Sequence, residues 1–147
     1  MEKSVDIFGT IAEQLELDVK DANTYSPLVL AYIGDVVYEL FVRTVVATKG
    51  NTQVNKMHQK SAALVKAETQ AKIIRILIDE LSEEEQAVYR RGRNAKSYTS
   101  AKHASISDYR TATGFEALLG YLYLNGETER LSQLVKRSLD IIEDEKS

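Results

Sequence analysis

The chain has 147 residues, 44% of them hydrophobic, with seven glycines, one proline and no cysteine. That is the length of one domain with apolar content for one core, and it excludes collagen-like and low-complexity chains, disulfide frameworks and cysteine-ligated metal centres. Two histidines, His58 and His103, leave little room for a histidine-built metal site. No run approaches the ~20 apolar residues that cross a bilayer. The N-terminus carries acids early and lacks an apolar stretch of roughly 7–15 residues, so it does not read as a secretion signal. The expectation is a soluble, cytoplasmic protein with one domain over residues 1–147.

A helical period runs through nearly the whole chain, with no convincing strand-length alternation and no internal repeat. Ser26-Pro27 is a helix start, with serine as N-cap and proline at the first helical position, where its missing N–H costs nothing. That helix is predicted from Pro27 to about Thr48 and ends at Lys49-Gly50-Asn51. A second helical stretch covers roughly Thr52 to Leu81, with a break near Lys66. Ser82-Glu83-Glu84-Glu85 is a capping box and starts a short helix that fades near Arg91-Gly92. Residues 92–107, rich in Ser, Thr, Asn and Lys, read as a loop, and Ser107-Asp108 as the cap of the next helix. That helix runs to Asn125-Gly126, a glycine stop, and a last amphipathic helix spans about Thr128 to Glu143. The predicted class is all-α, a helical bundle.

The net charge of −3 conceals segregation. Residues 1–26 carry two bases against six acids, and residues 79–88 five acids and no base, whereas residues 89–110 carry six bases and one acid. The local patch, not the total, decides what binds. Within it Arg90, Arg91, Arg93, Lys96 and Lys102 stand among Tyr, Ser, Asn and Thr, residue types that contact phosphate and sugar. Sequence-independent contacts of that kind are what duplex RNA demands. The plain alternative is a solvated loop with no partner.

Two helical segments carry lone acids. Leu28 to Val42 contains only Asp35 and Glu39, and Thr111 to Leu124 only Glu116. A helix that is apolar nearly all round should be buried, and a buried carboxylate is costly unless it is paired or coordinates a metal. Two carboxylates sharing a site repel, so one takes up a proton unless a cation joins them. Oxygen-only donors suit Mg²⁺, with Mn²⁺ an acceptable substitute. Ion pairs with Arg43 and Arg110 would satisfy the same acids without a metal, and spacing alone does not choose. Each segment also holds an interior glycine, Gly34 or Gly120, costing about 1 kcal/mol against alanine, as if two helices cross closely beside the acids.

Leu30-Ala31-Tyr32-Ile33-Gly34-Asp35-Val36-Val37-Tyr38-Glu39 resembles the signature helix of the ribonuclease III family, whose pattern is close to L-E-F-L-G-D. Thr113-Gly114-Phe115-Glu116-Ala117-Leu118-Leu119-Gly120-Tyr121-Leu122-Tyr123-Leu124 resembles its second acidic motif, D-T-F-E-A-L-x-G-A-x-Y-L. The motifs stand in the family's order. The resemblance implies a ribonuclease III-type endonuclease domain that uses Mg²⁺ to cleave double-stranded RNA, leaving 5′-phosphate and 3′-hydroxyl ends. It carries Asp35 and Glu116 over as catalytic metal ligands. Two further acids of the family's site are replaced here, by Ala31 and Thr113. Tyr32 and Thr113, one turn before each acid, are expected to hold water. The chain leaves no room for the family's double-stranded-RNA-binding domain and so most resembles its Mini-ribonuclease III group. That implies maturation of the 23S ribosomal RNA precursor, with a ribosomal protein as a candidate presenter of the substrate. The alternative is a non-catalytic RNA-binding module on the same fold; the lost acids favour it, and the retained Asp35 and Glu116 oppose it.

The same apolar helices argue for a homodimer, because soluble monomers seldom expose large apolar patches and a two-fold interface is the commonest way to bury one. Val36, Val37, Leu40 and Phe41, beside Asp35, are the predicted interface. Glu39 reads as an i,i+4 partner of Arg43, and Asp108 as a complement to the helix dipole. His58 is expected in solvent and His103 in the basic loop. Tyr121 and Tyr123 read as core or interface.

Overall fold

The structure, a computed structural model, describes residues 6–96 and 105–146. Among them are seven α-helices and no strand: α1 Ile7–Gln14, α2 Pro27–Thr48, α3 Val54–Val65, α4 Ala67–Leu77, α5 Glu83–Asn94, α6 Ile106–Leu124 and α7 Thr128–Glu145. Short 3₁₀ turns, Ala22–Thr24 and Ile78–Glu80, lead into α2 and out of α4. The all-α expectation holds, and no described helix is long and apolar enough to cross a membrane.

Local chemistry sets most boundaries as expected. Ser26 Oγ accepts from the Val29 N–H, with Pro27 at the first position of α2, and Gly50 takes the left-handed φ of +123° just past its end. In α5 both arms of the capping box close: Glu85 N–H donates to Ser82 Oγ, and Ser82 N–H to the Glu85 carboxylate. The break falls at Lys66, whose extended backbone ends α3 and starts α4. At the end of α6, Gly126 adopts φ +71° while Asn125 N–H donates to Tyr121 O.

Three boundaries differ. Helix α5 runs past Gly92 to Asn94, because Gly92 is buried against α6 and packing outweighs its low propensity. The cap of α6 is Ser105, whose Oγ accepts from Asp108 N–H, so Ser107 and Asp108 lie inside the first turn. Helix α7 extends two residues beyond Glu143. The predicted loop therefore begins and ends later and earlier than 92–107; residues 97–104, with Lys102 and His103, lie outside the described residues.

Helix α6 is the axis of the bundle. Phe115, Ala117, Leu118, Leu119, Tyr121 and Leu122 are buried around its circumference, with α2, α4, α5 and α7 packed about it. Its most extensive contact is with α2, where Tyr38 meets Phe115 edge-on at 5.3 Å between ring centroids. The crossing is as close as backbones come: a Cβ on Gly34 would overlap the Glu116 carbonyl, and one on Gly120 the Leu30 carbonyl. The two costly glycines thus bring the helices bearing Asp35 and Glu116 into contact. Helix α7 closes the bundle with Leu131, Leu134, Val135, Ile141 and Ile142, and Arg130 joins it to α5 through two 2.8 Å bonds to Glu85.

Candidate active site

At that crossing Asp35 and Glu116 face each other, one from each helix. Helix α2 is not buried all round, as its composition suggested. Asp35 is exposed, and an i,i+4 stripe beside it is open: Leu28, Tyr32, Val36 and Leu40, with Val29 adjoining. Val36 is 62% exposed and Leu40 51%. Val37, in contrast, is buried in the chain's own core and does not belong to the open face, while Phe41 is half-buried against that core. One side of α2 is consumed by α6, and only the other is left.

Glu116 sits deeper. Its carboxyl is pushed up to about 8, first by burial, then by the charge of Asp35 and by direct contact with that carboxyl. Neither of the arginines considered as neutralising partners fills that role. Arg43 pairs with Glu39 at 2.6 Å, as the i,i+4 spacing predicted, and no ion pair joins Arg110 to Glu116 among the described residues. Besides Asp35, an amide meets Glu116: Gln70 Nε2 donates to Glu116 Oε2 at 3.2 Å and to Val65 O at 2.6 Å. Gln70 is only 2% exposed, and its Oε1 is buried with no donor. Sequence reasoning missed it, because a glutamine in the polar first turn of α4 carries no local signal of a contact 46 positions away.

The residues one turn before the acids part company. Tyr32 is 78% exposed, and Thr113 donates its hydroxyl to Tyr109 O at 2.9 Å. Asp108 lies in the first turn of α6, as expected for a dipole complement, and is also bonded by Arg75 at 2.9 Å. Tyr121 is core, its hydroxyl donating to Glu84 at 2.6 Å. Tyr123 is partly buried against Phe8, and His58 is exposed. Among the described residues, no three or more acidic or imidazole side chains gather as a metal cluster.

Of the described basic residues only Arg93 is placed differently from expectation, on the helix and not in the loop. Arg90, Arg91 and Arg93 project from the last turns of α5, exposed, and Lys96 follows just beyond. Arg90, Arg91 and Asn94 line an open cleft with Pro27, the first residue of α2. Arg93 stacks over the Tyr89 ring at 5.9 Å.

A tight two-glycine crossing that presents one carboxylate from each helix of an all-α bundle defines a class, and comparison with known proteins agrees. The model of the Ribonuclease III domain matches residues 28–127. The chain belongs to the ribonuclease III family and is an endoribonuclease, which decides against the non-catalytic module. Among its relatives, Mini-ribonuclease 3 of Clostridium tetani is 52% identical over 130 residues, covering 88% of this chain and 86% of that one. Mini-ribonuclease 3 of a Thermoanaerobacter species is 48% identical over 145 residues, 98% of this chain and all of the other. A crystal structure of a Fusobacterium nucleatum protein superposes with a TM-score of 0.74 at 27% identity, covering 82% of this chain and 97% of that one.

Proposed function

We propose that the chain is a Mg²⁺-dependent endonuclease for double-stranded RNA, with Asp35 and Glu116 as its metal-holding catalytic pair and the 23S ribosomal RNA precursor as its substrate. The observation that carries this is the carboxylate pair at the α2–α6 crossing, where Glu116 is pushed up to about 8 partly by Asp35. Burial and the neighbouring Asp35 carboxylate disfavour the ionised form of Glu116, a burden that a hard divalent ion would relieve. Two carboxylates and otherwise water are the donors Mg²⁺ takes, and Mn²⁺ accepts the same set. When bound, the ion lowers the pKa of a water and stabilises charge on the phosphate. The chain's own residues do the positioning. Asp35 is the open acid, within reach of a phosphodiester, and Glu116 is the sheltered one fixed behind it. Hydrolysis forms a bond from water oxygen to phosphorus and breaks the bond to the 3′ oxygen, which leaves with a proton.

Duplex RNA is held through its backbone by Arg90, Arg91, Arg93 and Lys96, with Lys102 completing the basic segment. Arg90 and Arg91 stand beside the N-terminus of α2, whose dipole adds positive potential for phosphate. The working form is a homodimer joined through the stripe Leu28, Val29, Tyr32, Val36 and Leu40. An isologous interface there sets two copies of Asp35 about one axis, one for each strand. The bacterial relatives and the absence of a membrane-spanning helix among the described residues support a cytoplasmic location, where a ribosomal protein could present the precursor. The test is a gel assay of a perfect RNA duplex with and without Mg²⁺. Paired cuts that need the ion are expected, and cutting of equal rate in excess chelator would overturn the reading.

A further inference from the structure

We propose that Gln70 is the positioning residue of the site, and that the break between α3 and α4 exists to aim its amide at Glu116. The inference rests on the metal-site reading of Asp35 and Glu116.

The last four carbonyls of a helix have no partner within it. At the end of α3 all four are taken by groups from outside. Ala62 O accepts the Lys66 N–H at 3.1 Å, Ala63 O the Thr69 hydroxyl at 2.6 Å, Leu64 O the Tyr38 hydroxyl at 3.1 Å, and Val65 O the Gln70 amide at 2.6 Å. Three of these donors do nothing further in the described structure. Gln70 alone spends its second N–H elsewhere, on Glu116 Oε2 at 3.2 Å. An amide nitrogen has two hydrogens, and here both are used.

The two bonds together fix which way the amide points. Exchanging its oxygen and nitrogen would set Gln70 Oε1 against the Val65 carbonyl, acceptor against acceptor, so Val65 holds the donor end toward the carboxylate. The other end is left with nothing: Oε1 is buried and unpaired. A buried polar group with an unmet acceptor is a poor choice for packing alone, where an apolar side chain of similar shape would do as well. The arrangement makes sense if the N–H toward Glu116 is what is retained. An N–H donated to one oxygen of a carboxylate settles which oxygen is free, and groups that orient metal ligands in this way govern affinity for the ion. Among the described residues no third acidic or imidazole side chain joins Asp35 and Glu116, so the orientation of each matters more.

The test compares Mn²⁺ binding, read from the electron paramagnetic resonance of free Mn²⁺, in full-length Gln70→Met, Thr69→Val and Glu116→Gln proteins. Gln70→Leu stands in if the methionine variant does not fold. Thr69→Val removes a cap from the same helix end without touching Glu116, so it measures what loss of capping does by itself. Gln70→Met is expected to bind Mn²⁺ about tenfold or more weakly, in the range seen when ligand-orienting groups are removed, while Thr69→Val stays within about twofold of the parent. KM for duplex RNA should hold in Gln70→Met while kcat falls at low Mg²⁺ and recovers as Mg²⁺ is raised. Parental Mn²⁺ affinity in Gln70→Met, or an equal loss in Thr69→Val, overturns the proposal. Parental affinity in Glu116→Gln would instead overturn the metal-site reading beneath it.

Discussion

Replacing Glu116 by glutamine should remove a pH-dependent weakness of the metal-free protein. Burial and Asp35 raise this carboxyl from its ordinary 4.5 to about 8. A group whose folded pKa is raised favours folding fully below its unfolded pKa, and that favour is lost as pH rises through the folded pKa. The window is therefore about pH 4.5 to 8. At roughly 1.4 kcal/mol per pKa unit, the loss across it is at most about 5 kcal/mol, and less to the extent that water reaches the ionised carboxyl. Glu80 and Glu85 are held low by Arg137 and Arg130, so their contributions fall away only below the ordinary carboxylate range and do not overlap this window. Urea unfolding in chelator at half-unit steps from pH 4.5 to 8.5 reads the effect. The parent should lose stability steadily relative to Glu116→Gln, and Mg²⁺ at pH 8 should restore part of the loss. Parallel stability curves for the two proteins would refute the reasoning.

Gly34→Ala should destabilise by about 3 kcal/mol or more in urea, because the added methyl meets the Glu116 backbone and not a yielding side chain; an unchanged midpoint would contradict the crossing. Neutralising Arg90, Arg93, Lys96 and Lys102 together should weaken duplex binding and flatten its log–log salt slope by up to about 0.9 per phosphate contact, with stability moving within about 0.5 kcal/mol. An unchanged slope would remove these residues from the RNA interface. Val36→Glu with Leu40→Glu should reduce the mass seen by light scattering from about twice 16.5 kDa to a single chain, leaving helicity intact because both side chains are exposed. A dimer that survives both charges would exclude this stripe.

What the sequence disclosed and what it hid follow from the range of the interactions. Ser26-Pro27, the Ser82–Glu85 capping box and the Asn125-Gly126 stop are settled within a few residues, and their expected positions hold. Gly34 and Gly120 were legible for a different reason: a glycine inside an apolar helix costs stability and so points to a close approach. The end of α5 and the cap of α6 were misplaced because tertiary packing of Gly92 and the choice among Ser105, Ser107 and Asp108 lie beyond local propensity. Helix α1 was not foreseen, its eight residues being too short for a periodic signal. Asp35 and Glu116 were found by their isolation among apolar neighbours, yet which of them faces solvent depends on which side of α2 is covered by α6. The same limit hid Gln70 and the burial of Val37 in the core.

The central claim is that Asp35 and Glu116 jointly perform a metal-dependent cleavage, and single-turnover cutting of an end-labelled RNA duplex in Mg²⁺ tests it most directly. The parent should cut both strands to 5′-phosphate and 3′-hydroxyl ends, while Asp35→Asn and Glu116→Gln each bind the duplex normally and cut it at least about a thousandfold more slowly, a loss of roughly 4 kcal/mol in transition-state stabilisation. Cleavage near the parental rate by either variant, with the fold intact, would contradict it.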